Sequence, residues 1–350
     1  MTTSELTEIG AGGGDSSGPL IQLNNLTMDY QTKEGRVSAV KNVNLTLDRG
    51  SSLGLVGESG CGKTSVALTL LRLQASNAEI TDGEILLNGE NLLDLDEEEM
   101  RQKRWSDISM VFQGAMTAWN PVYRIGDQIR EALDLHWPEK LTTEQVRTRI
   151  GELFGLVGLP EEAMDRYPHE FSGGMRQRAT IAMALSCNPQ LIIADEPTTA
   201  LDVIVQDQIL KELKKIQAEL GMSIIYISHD IAVIAEVADK MGVMYAGEIV
   251  EYGTTEEIFG TPRHPYAWLL LSSTPSITGP RRKLAPLVGE PPNLMNPPSG
   301  CRFHPRCPFA TDKCSTDQPV AEDIGNGHMV ACWNYDQVPI GISEMDSEEA

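Results

Sequence analysis

Residues 57 to 64 read GESGCGKT and directly follow the apolar run from Leu53 to Val56. This is the GxxxxGK[ST] pattern, which joins a strand to a helix through a glycine-rich turn, and we expect the helix to begin near Ser65. The glycines let backbone N–H groups converge on an anionic oxygen, and the helix start adds the positive end of its dipole. The motif predicts a phosphate-binding loop made of Gly57, Glu58, Ser59, Gly60, Cys61, Gly62, Lys63, Thr64 and Ser65. The alternative is a tight turn without a ligand.

The motif also indicates what three side chains of this loop do. Lys63 is expected to reach the β- and γ-phosphates of a nucleotide, and the Thr64 hydroxyl to bind Mg²⁺. Cys61 occupies a variable position of the motif, so a tolerated small residue is its simplest interpretation. Its place at a helix start also raises the hypothesis of a lowered thiol pKa and sensitivity to alkylation.

Short β-branched runs alternate with longer amphipathic stretches from Ile21 to about residue 260. This alternation predicts an α/β fold with a parallel sheet between two layers of helices. Strand signals stop between Gln113 and Phe171, which predicts an inserted helical subdomain at about residues 114–178. Strand-like patterning returns around Ala246-Gly247, where we expect a hairpin turn.

We expect four segments along the chain. Residues 1–18 contain no basic residue and no apolar stretch, which predicts a disordered leader rather than a signal peptide. Residues 19–262 form the predicted nucleotide-binding domain. Pro and Gly then become frequent and four of the six cysteines follow, which predicts a small second domain at 263–335. An acidic tail is expected at 336–350.

The charge of the chain narrows its possible partners. It has 28 Lys and Arg against 50 Asp and Glu, a formal net charge of −22. So large an acidic excess argues against a nucleic-acid partner and against a basic membrane-surface helix. No apolar run approaches the roughly 18 residues that a spanning helix needs. We therefore expect any role at a membrane to come through partner proteins.

Residues 191–196 read LIIADE, an apolar strand that ends in two carboxylates. Asp195 is suited to hold Mg²⁺ through water, and Glu196 to orient or deprotonate the water that attacks a γ-phosphate. Adjacent acids after a strand are common in loops, so this pair alone is weak evidence for nucleotide hydrolysis. Together with the phosphate-binding loop it is strong evidence.

Residues 171–175 read FSGGM and are followed by RQR and a helical pattern. A helix start with two glycines is a second phosphate-binding surface. With Gln113 ahead of it, and TALD at 199–202 and His229 behind it, this order of motifs resembles the ATP-binding cassette of ABC transporters. The resemblance implies a P-loop, ABC-type nucleotide-binding domain with a mixed sheet core and the inserted helical subdomain.

The resemblance also implies a head-to-tail dimer in which ATP lies at the interface. Ser172, Gly173 and Gly174 of one subunit would close on the γ-phosphate held by the loop of the other. Asp202 would lie at the dimer seam.

Three further residues acquire roles from the same resemblance. Gln113 would contact Mg²⁺ and the attacking water, His229 would hold the γ-phosphate, and Tyr30 would stack on adenine. Each has a plainer interpretation. Gln113 can be a loop amide, His229 a core histidine, and Tyr30 an ordinary strand residue.

The C-terminal region resembles the extension of dipeptide and oligopeptide (also nickel) importer ATPases. The segments that carry the likeness are RHPYAWLLLSSTP at 263–275, PLVGEPPNL at 286–294 and CRFHPRCPFATDKC at 301–314. Together with FSGGMRQR they point to the D-type subunit, placed peripherally on the cytoplasmic face of the cell membrane. The implied partners are a homologous F-type ATPase subunit, two transmembrane permease subunits and, through the permeases, an extracytoplasmic solute-binding protein.

Cys301, Cys307, Cys314 and Cys332 are separated by five, six and seventeen residues. This spacing matches neither the CxxC pairs of zinc sites nor the standard ferredoxin run. Four thiolates can complete one tetrahedral or cubane site, and the family resemblance implies a [4Fe–4S] cluster. Zinc is the alternative, with His304 or His328 as added ligands. Two disulfides or four unliganded thiols are the other interpretations.

The expected function is ATP hydrolysis that powers an ABC importer for di- or oligopeptides. Glu196, His229 and Gln113 are the expected catalytic residues, and ATP and Mg²⁺ the expected substrate and cofactor. Nickel and oligosaccharides are alternative cargoes. Two other classes stay open: a soluble ABC-type ATPase of DNA repair or translation, and an ATPase that senses metal or redox state through its cysteines.

Overall fold

The computed structural model describes residues 18–114, 118–199, 201–273 and 287–339. Nearly all of the expected leader and most of the expected acidic tail therefore lie outside the described residues. The chain forms two compact units, each assembled from separate segments. The first unit contains the residues up to Leu20, 47–51 and 87–227, and the second contains 21–46, 52–86 and the residues from Ser228 onward.

Twelve strands lie within the described residues. They are β1 (Ile21–Gln31), β2 (Arg36–Leu47), β3 (Ser52–Val56), β4 (Ala78–Leu87), β5 (Glu90–Asn91), β6 (Ile108–Val111), β7 (Leu191–Asp195), β8 (Ser223–Ser228), β9 (Lys240–Tyr245), β10 (Glu248–Thr254), β11 (Glu322–Asp323) and β12 (Met329–Val330).

Ten α-helices accompany them in the same part of the chain. They are α1 (Lys63–Leu70), α2 (Glu97–Ser106), α3 (Ile125–His136), α4 (Thr143–Leu156), α5 (Gly173–Ala184), α6 (Val203–Leu220), α7 (Ile231–Val237), α8 (Thr255–Gly260), α9 (Pro265–Ser272) and α10 (Asp312–Thr316). Short 3₁₀ turns cover Glu161–Asp165, Pro168–Glu170, His304–Arg306 and Tyr335–Gln337.

In the second unit, β3 pairs in parallel with β9, and Val56 lies opposite Val243. All five residues of β3 are buried, as expected of a parallel strand covered on both faces. β9 turns through Ala246 and Gly247 into antiparallel β10, and β12 and β11 follow beyond it. Both turn residues have positive φ, 49° and 89°, which suits a two-residue hairpin of type I′ and confirms the predicted turn.

The sequence interpretation is wrong at the beginning of the chain. We expected strands to alternate with helices from Ile21 onward, but β1, β2 and β3 follow one another before the first helix. β1 lies between β2 and β4 in a separate sheet of the second unit. The short connections between these three strands leave no room for a helix.

In the first unit, β7 lies between β6 and β8, and both pairings are parallel. The carboxyl ends of neighbouring parallel strands meet at one edge of a sheet, where ligands bind in open α/β folds. The residues that follow β6 and β7 are therefore brought to the same edge.

The described chain between β6 and β7 contains helices and turns but no strand, as predicted. α4 begins with a capping box, in which the Thr142 side chain and Gln145 each accept a backbone N–H of the other. No helix in the described parts of the chain combines the length and the apolar character needed to cross a membrane.

Candidate functional site

The phosphate-binding motif has the predicted order of strand, turn and helix, and α1 begins at Lys63. Gly57 and Gly62 have φ of 152° and 110°. A Cβ atom on Gly57 would lie 2.1 Å from the Met244 carbonyl oxygen, and one on Gly62 would lie 2.1 Å from that of Ala39. Only glycine permits this close approach of backbones, so the turn is held tightly against its neighbours.

The Lys63 side chain lies inside the turn and is buried. Its Nζ donates to the carbonyl oxygens of Gly57 at 2.7 Å and Glu58 at 3.0 Å. Gly62 is the N-cap residue of α1, so no side chain caps the first turn of this helix. This arrangement fits the predicted affinity for phosphate.

The Cys61 thiol is buried, and burial raises its pKa although the nearby Lys63 ammonium opposes the rise. The hypothesis of a lowered pKa is therefore wrong, and the sensitivity to alkylation stays a prediction. The loss of hydration outweighs the attraction of the helix start and of Lys63 for a thiolate.

Thr64 is exposed in the first turn of α1, and Ser65 beside it is half-buried. The Tyr30 hydroxyl lies 3.2 Å from Ser65 Oγ, so the ring on β1 is tied to the start of α1. Tyr30 is thus near the phosphate-binding loop, as an adenine-stacking residue has to be. Its stacking role stays a prediction.

Glu58 has two contacts that the motif does not predict. The Arg306 guanidinium donates to both carboxylate oxygens of Glu58, at 2.6 and 3.0 Å. The Glu58 backbone N–H donates to the Tyr266 hydroxyl at 2.8 Å. The C-terminal part of the second unit therefore holds a residue of the phosphate-binding loop directly.

In the first unit, Gln113 and Glu196 come together after β6 and β7. Gln113 Nε2 donates to Glu196 Oε2 at 2.7 Å, and Thr199 Oγ1 donates to the same oxygen at 2.8 Å. Glu196 has a φ of 46°, in the left-handed region that a side chain rarely adopts. Such strained residues concentrate at functional sites. Asp195, the last residue of β7, is buried beside it.

Ser172 and Asp202 each begin a helix in the first unit. Ser172 Oγ accepts the Met175 N–H at 3.2 Å, and Gly173 and Gly174 form the first turn of α5. Asp202 accepts the Val205 N–H at 3.0 Å and caps α6. Both capping residues are exposed. Their expected roles across a dimer interface stay predictions.

His229 directly follows β8 and is exposed, so the interpretation as a buried core histidine is wrong. It is assigned to the second unit, with Tyr30 and the phosphate-binding loop, whereas Gln113 and Glu196 are assigned to the first. Its expected contact with a γ-phosphate stays a prediction.

The four C-terminal cysteines line one small cavity. None of them is in a disulfide, which contradicts the disulfide interpretation. Burial raises the pKa of Cys301 and Cys307 to about 11 and that of Cys332 to about 12. These three thiols are therefore protonated at neutral pH, and a metal would have to displace their protons.

The histidines proposed as zinc ligands differ in position. His304 lines the cysteine cavity, whereas His328 pairs with the buried Glu251 at 2.8 Å. No group of three or more His, Cys, Asp or Glu in the described parts of the chain is placed to hold a metal ion. The structure thus brings the predicted ligands to one cavity without supporting a metal there.

Comparisons with known proteins identify the families of both the nucleotide-binding region and the C-terminal region. The model of the ABC transporter family matches residues 40–199, and that of the oligopeptide/dipeptide transporter C-terminal region matches 250–314. The chain is 45% identical to the dipeptide transport ATP-binding protein DppD of Lactococcus lactis, over 91% of each chain. It is 44% identical to the oligopeptide transport ATP-binding protein OppD of Haemophilus influenzae, over 90% of this chain and 97% of that protein.

The chain belongs to the ATP-binding subunits of the dipeptide and oligopeptide ABC transporters. Solved ABC structures agree. The dimeric bacterial ABC transporter cassette MJ0796 has a TM-score of 0.61 at 31% identity, covering 67% of this chain and 98% of that one. The same cassette, dimeric in a post-hydrolysis state with ADP and Pi, has a TM-score of 0.61 at 30% identity, with the same coverage. The predicted ABC-type fold is confirmed, and this protein is an ATPase.

The expected magnesium ligands of this ABC ATPase have suitable donor atoms. Thr64 offers a hydroxyl, Gln113 an amide oxygen and Asp195 a carboxylate, and Mg²⁺ prefers oxygen donors of these kinds. Thr64 belongs to the second unit, and Gln113 and Asp195 belong to the first. Their joint binding of one ion stays a prediction.

Sequence reasoning missed three residues at the site of this ABC ATPase: Thr199, Tyr266 and Arg306. Thr199 lies three residues after Glu196, so its proximity was predictable from a turn after β7. Tyr266 and Arg306 are 208 and 248 residues away from Glu58 in the chain. No local pattern relates positions so far apart, and only the fold reveals these contacts.

Proposed function

We propose that this protein is the ATP-hydrolysing subunit that powers an ABC importer for dipeptides or oligopeptides. The observation that carries this function is the Glu196 carboxylate, which Gln113 and Thr199 hold at the end of β7. The relatives are named for dipeptide and oligopeptide transport, which favours this class over a soluble repair or translation ATPase and over a redox sensor. Nickel and oligosaccharides are the alternative cargoes.

In this proposal Glu196 is the general base. It takes a proton from water while the water oxygen bonds to the γ-phosphorus and the bond to the bridging oxygen of ADP breaks. The two hydrogen bonds to Oε2 fix the orientation of the carboxylate. A fixed orientation lowers the entropic part of the activation barrier. Lys63 and His229 bind phosphate oxygens. Mg²⁺ supplies charge neutralisation when bound at Thr64, Gln113 and Asp195.

The Glu196→Gln variant tests this assignment. Because the amide keeps the shape but cannot accept the proton, we expect ATP turnover to fall by at least about 100-fold with ATP binding retained. The control is Glu139→Gln, which changes an exposed glutamate between α3 and α4 and should keep wild-type turnover. Turnover of Glu196→Gln within about threefold of the wild type would refute the base assignment.

We also propose the assembly that the family resemblance implies. The cassette at residues 19–262 pairs head to tail with a homologous F-type ATPase, and Ser172, Gly173, Gly174 and Asp202 face the partner's nucleotide. Two permease subunits anchor the pair at the cytoplasmic face of the membrane, and a solute-binding protein delivers peptide from outside. The exposed positions of Ser172 and Asp202 support an interface there. The domain at 263–335 completes the subunit.

For the cysteine cavity we propose a [4Fe–4S] cluster with a structural role. Support comes from the shared cavity and from donors that face the sulfurs. The Asn334 backbone N–H donates to Cys332 Sγ at 3.4 Å, and Asn334 Nδ2 donates to Cys314 Sγ at 3.6 Å. Hydrogen bonds of this kind are typical of cluster sulfurs. Zinc stays the alternative, because four thiolates can also complete one tetrahedral site.

Anaerobic purification tests the cluster. We expect a brown protein with about four irons and four sulfides per chain, and visible absorbance that bleaches in air. Cys307→Ser should lose the colour, whereas Cys187→Ser, at a buried thiol of the first unit, should keep it. A colourless protein, with zinc or without metal, would contradict the cluster.

A further inference from the structure

Building on the proposed ATPase function, we propose that Arg306 and Tyr266 are positioning residues for ATP binding, because they hold Glu58 of the phosphate-binding loop in place. Neither residue belongs to a nucleotide-binding motif in the sequence. Both act on the nucleotide through Glu58 and are not expected to touch it.

Glu58 is held at its side chain and at both polar groups of its backbone. The carboxylate accepts both hydrogen bonds from Arg306, and the backbone N–H donates to the Tyr266 hydroxyl. The carbonyl oxygen accepts from Lys63 Nζ at 3.0 Å and from the Cys61 N–H at 3.3 Å. This part of the loop thus depends on partners from the far end of the chain.

The Arg306 side chain is built into the protein and is not a mobile surface arginine. Only 6% of it is exposed. Its Nε donates to the Val288 carbonyl oxygen at 3.0 Å, and its Nη1 donates to the Tyr245 hydroxyl at 3.3 Å. The guanidinium also lies 5.8 Å from the centre of the Tyr245 ring. These contacts orient its planar fork before it meets the carboxylate, unlike a typical surface ion pair.

The ion pair between Arg306 and Glu58 changes the charge of a loop that is proposed to bind polyphosphate. Glu58 places a negative charge within the loop, and that charge would repel the phosphates of ATP. Arg306 neutralises it with two charge-assisted hydrogen bonds. Removal of Arg306 should therefore weaken ATP binding more than it slows the chemical step.

Tyr266 fixes the backbone of the same residue. It is fully buried, and its ring centre lies 4.6 Å from that of Tyr245 and 5.4 Å from that of Phe303. This aromatic packing places the hydroxyl at the Glu58 N–H. The hydroxyl satisfies the backbone donor of Glu58 at the start of the loop and fixes the position of that peptide group.

The test is a double-mutant cycle on the full-length protein, with the Kd for MgATP measured by calorimetry and the kcat at saturating ATP. For Arg306→Gln we expect the Kd to rise about tenfold and kcat to change less than about twofold. In the Glu58→Gln/Arg306→Gln double variant we expect the Kd to return to within about threefold of the wild type, because the unpaired carboxylate is gone.

Lys313→Gln is the control, because it removes one positive charge from the same C-terminal region. Its ammonium lies over the Trp333 ring, 3.5 Å from the ring centre, and the Kd for MgATP should not change. A second variant, Tyr266→Phe, keeps the ring packing and removes only the hydroxyl. We expect it to raise the Kd at least about threefold, since the part-buried Glu58 N–H loses its acceptor.

The outcomes separate positioning from a purely structural role. If Arg306→Gln leaves the Kd unchanged, or if the double variant binds ATP no better than Arg306→Gln, the charge argument is overturned. Should Arg306→Gln not fold, an unchanged Kd in Tyr266→Phe overturns the positioning role. A wild-type protein that neither binds nor hydrolyses ATP would overturn the proposed function as well, whereas an active wild type with unaffected variants overturns only this inference.

Discussion

At the residue scale, one side chain can have both a structural role and a proposed functional role. Asp202 illustrates this. The family resemblance assigns it to the dimer seam, and the structure shows its carboxylate capping α6 through the Val205 N–H. The two roles require different properties, since the cap needs an oxygen acceptor and the seam role can depend on charge.

Asp202→Ala and Asp202→Asn separate these roles. The alanine removes the cap, and we expect it to destabilise the first unit by about 1 kcal/mol, whereas asparagine caps nearly as well and should have little effect. The midpoints of urea unfolding measure both. An alanine variant as stable as the wild type would contradict the capping role. If charge matters at the seam, Asp202→Asn should lose ATP-dependent dimerisation without losing stability.

Cys61 shows why a motif alone does not predict the pKa of a thiol. The sequence places this thiol at a helix start near Lys63, which favours the thiolate. The structure buries the thiol, and desolvation determines the direction in which the pKa moves. Burial depends on residues distant in sequence, so it was not predictable from the motif.

At the scale of elements, the sequence predicts best where the signal is local. The buried run of β7, the hairpin at Ala246-Gly247 and the turn before α1 each follow from a few adjacent residues. The beginning of the chain was predicted poorly. In β1 and β2, Asn25 and Asn42 have positive φ of 49° and 47°, which interrupts the two-residue alternation that identifies a strand.

The pairing of Gln113 with Glu196 was predictable in part. Strand ends were predictable, and parallel strands bring such ends to one edge of a sheet. The strand pattern and the family resemblance therefore predicted the two residues, and the parallel pairing of β6 with β7 brings them to one edge. The sequence did not predict the 2.7 Å hydrogen bond, the added contact from Thr199 or the positive φ of Glu196.

At the scale of the whole molecule, the C-terminal region contacts the phosphate-binding loop. Its Arg306 binds Glu58, which is 248 residues earlier in the chain. The sequence resemblance identified this region and its cysteines but contained no sign of this contact. An ion pair over such a distance has no periodic or spacing signal, so the fold was required to find it.

The most direct test of the central claim is affinity purification of this chain from native membranes without oxygen, with mass spectrometry of the copurifying proteins. An ATPase subunit of a peptide importer should bring with it two permeases, a homologous ATPase and a solute-binding protein. Recovery of only soluble partners, such as ribosomal or DNA-repair proteins, would contradict the importer assignment and leave the ATPase chemistry intact.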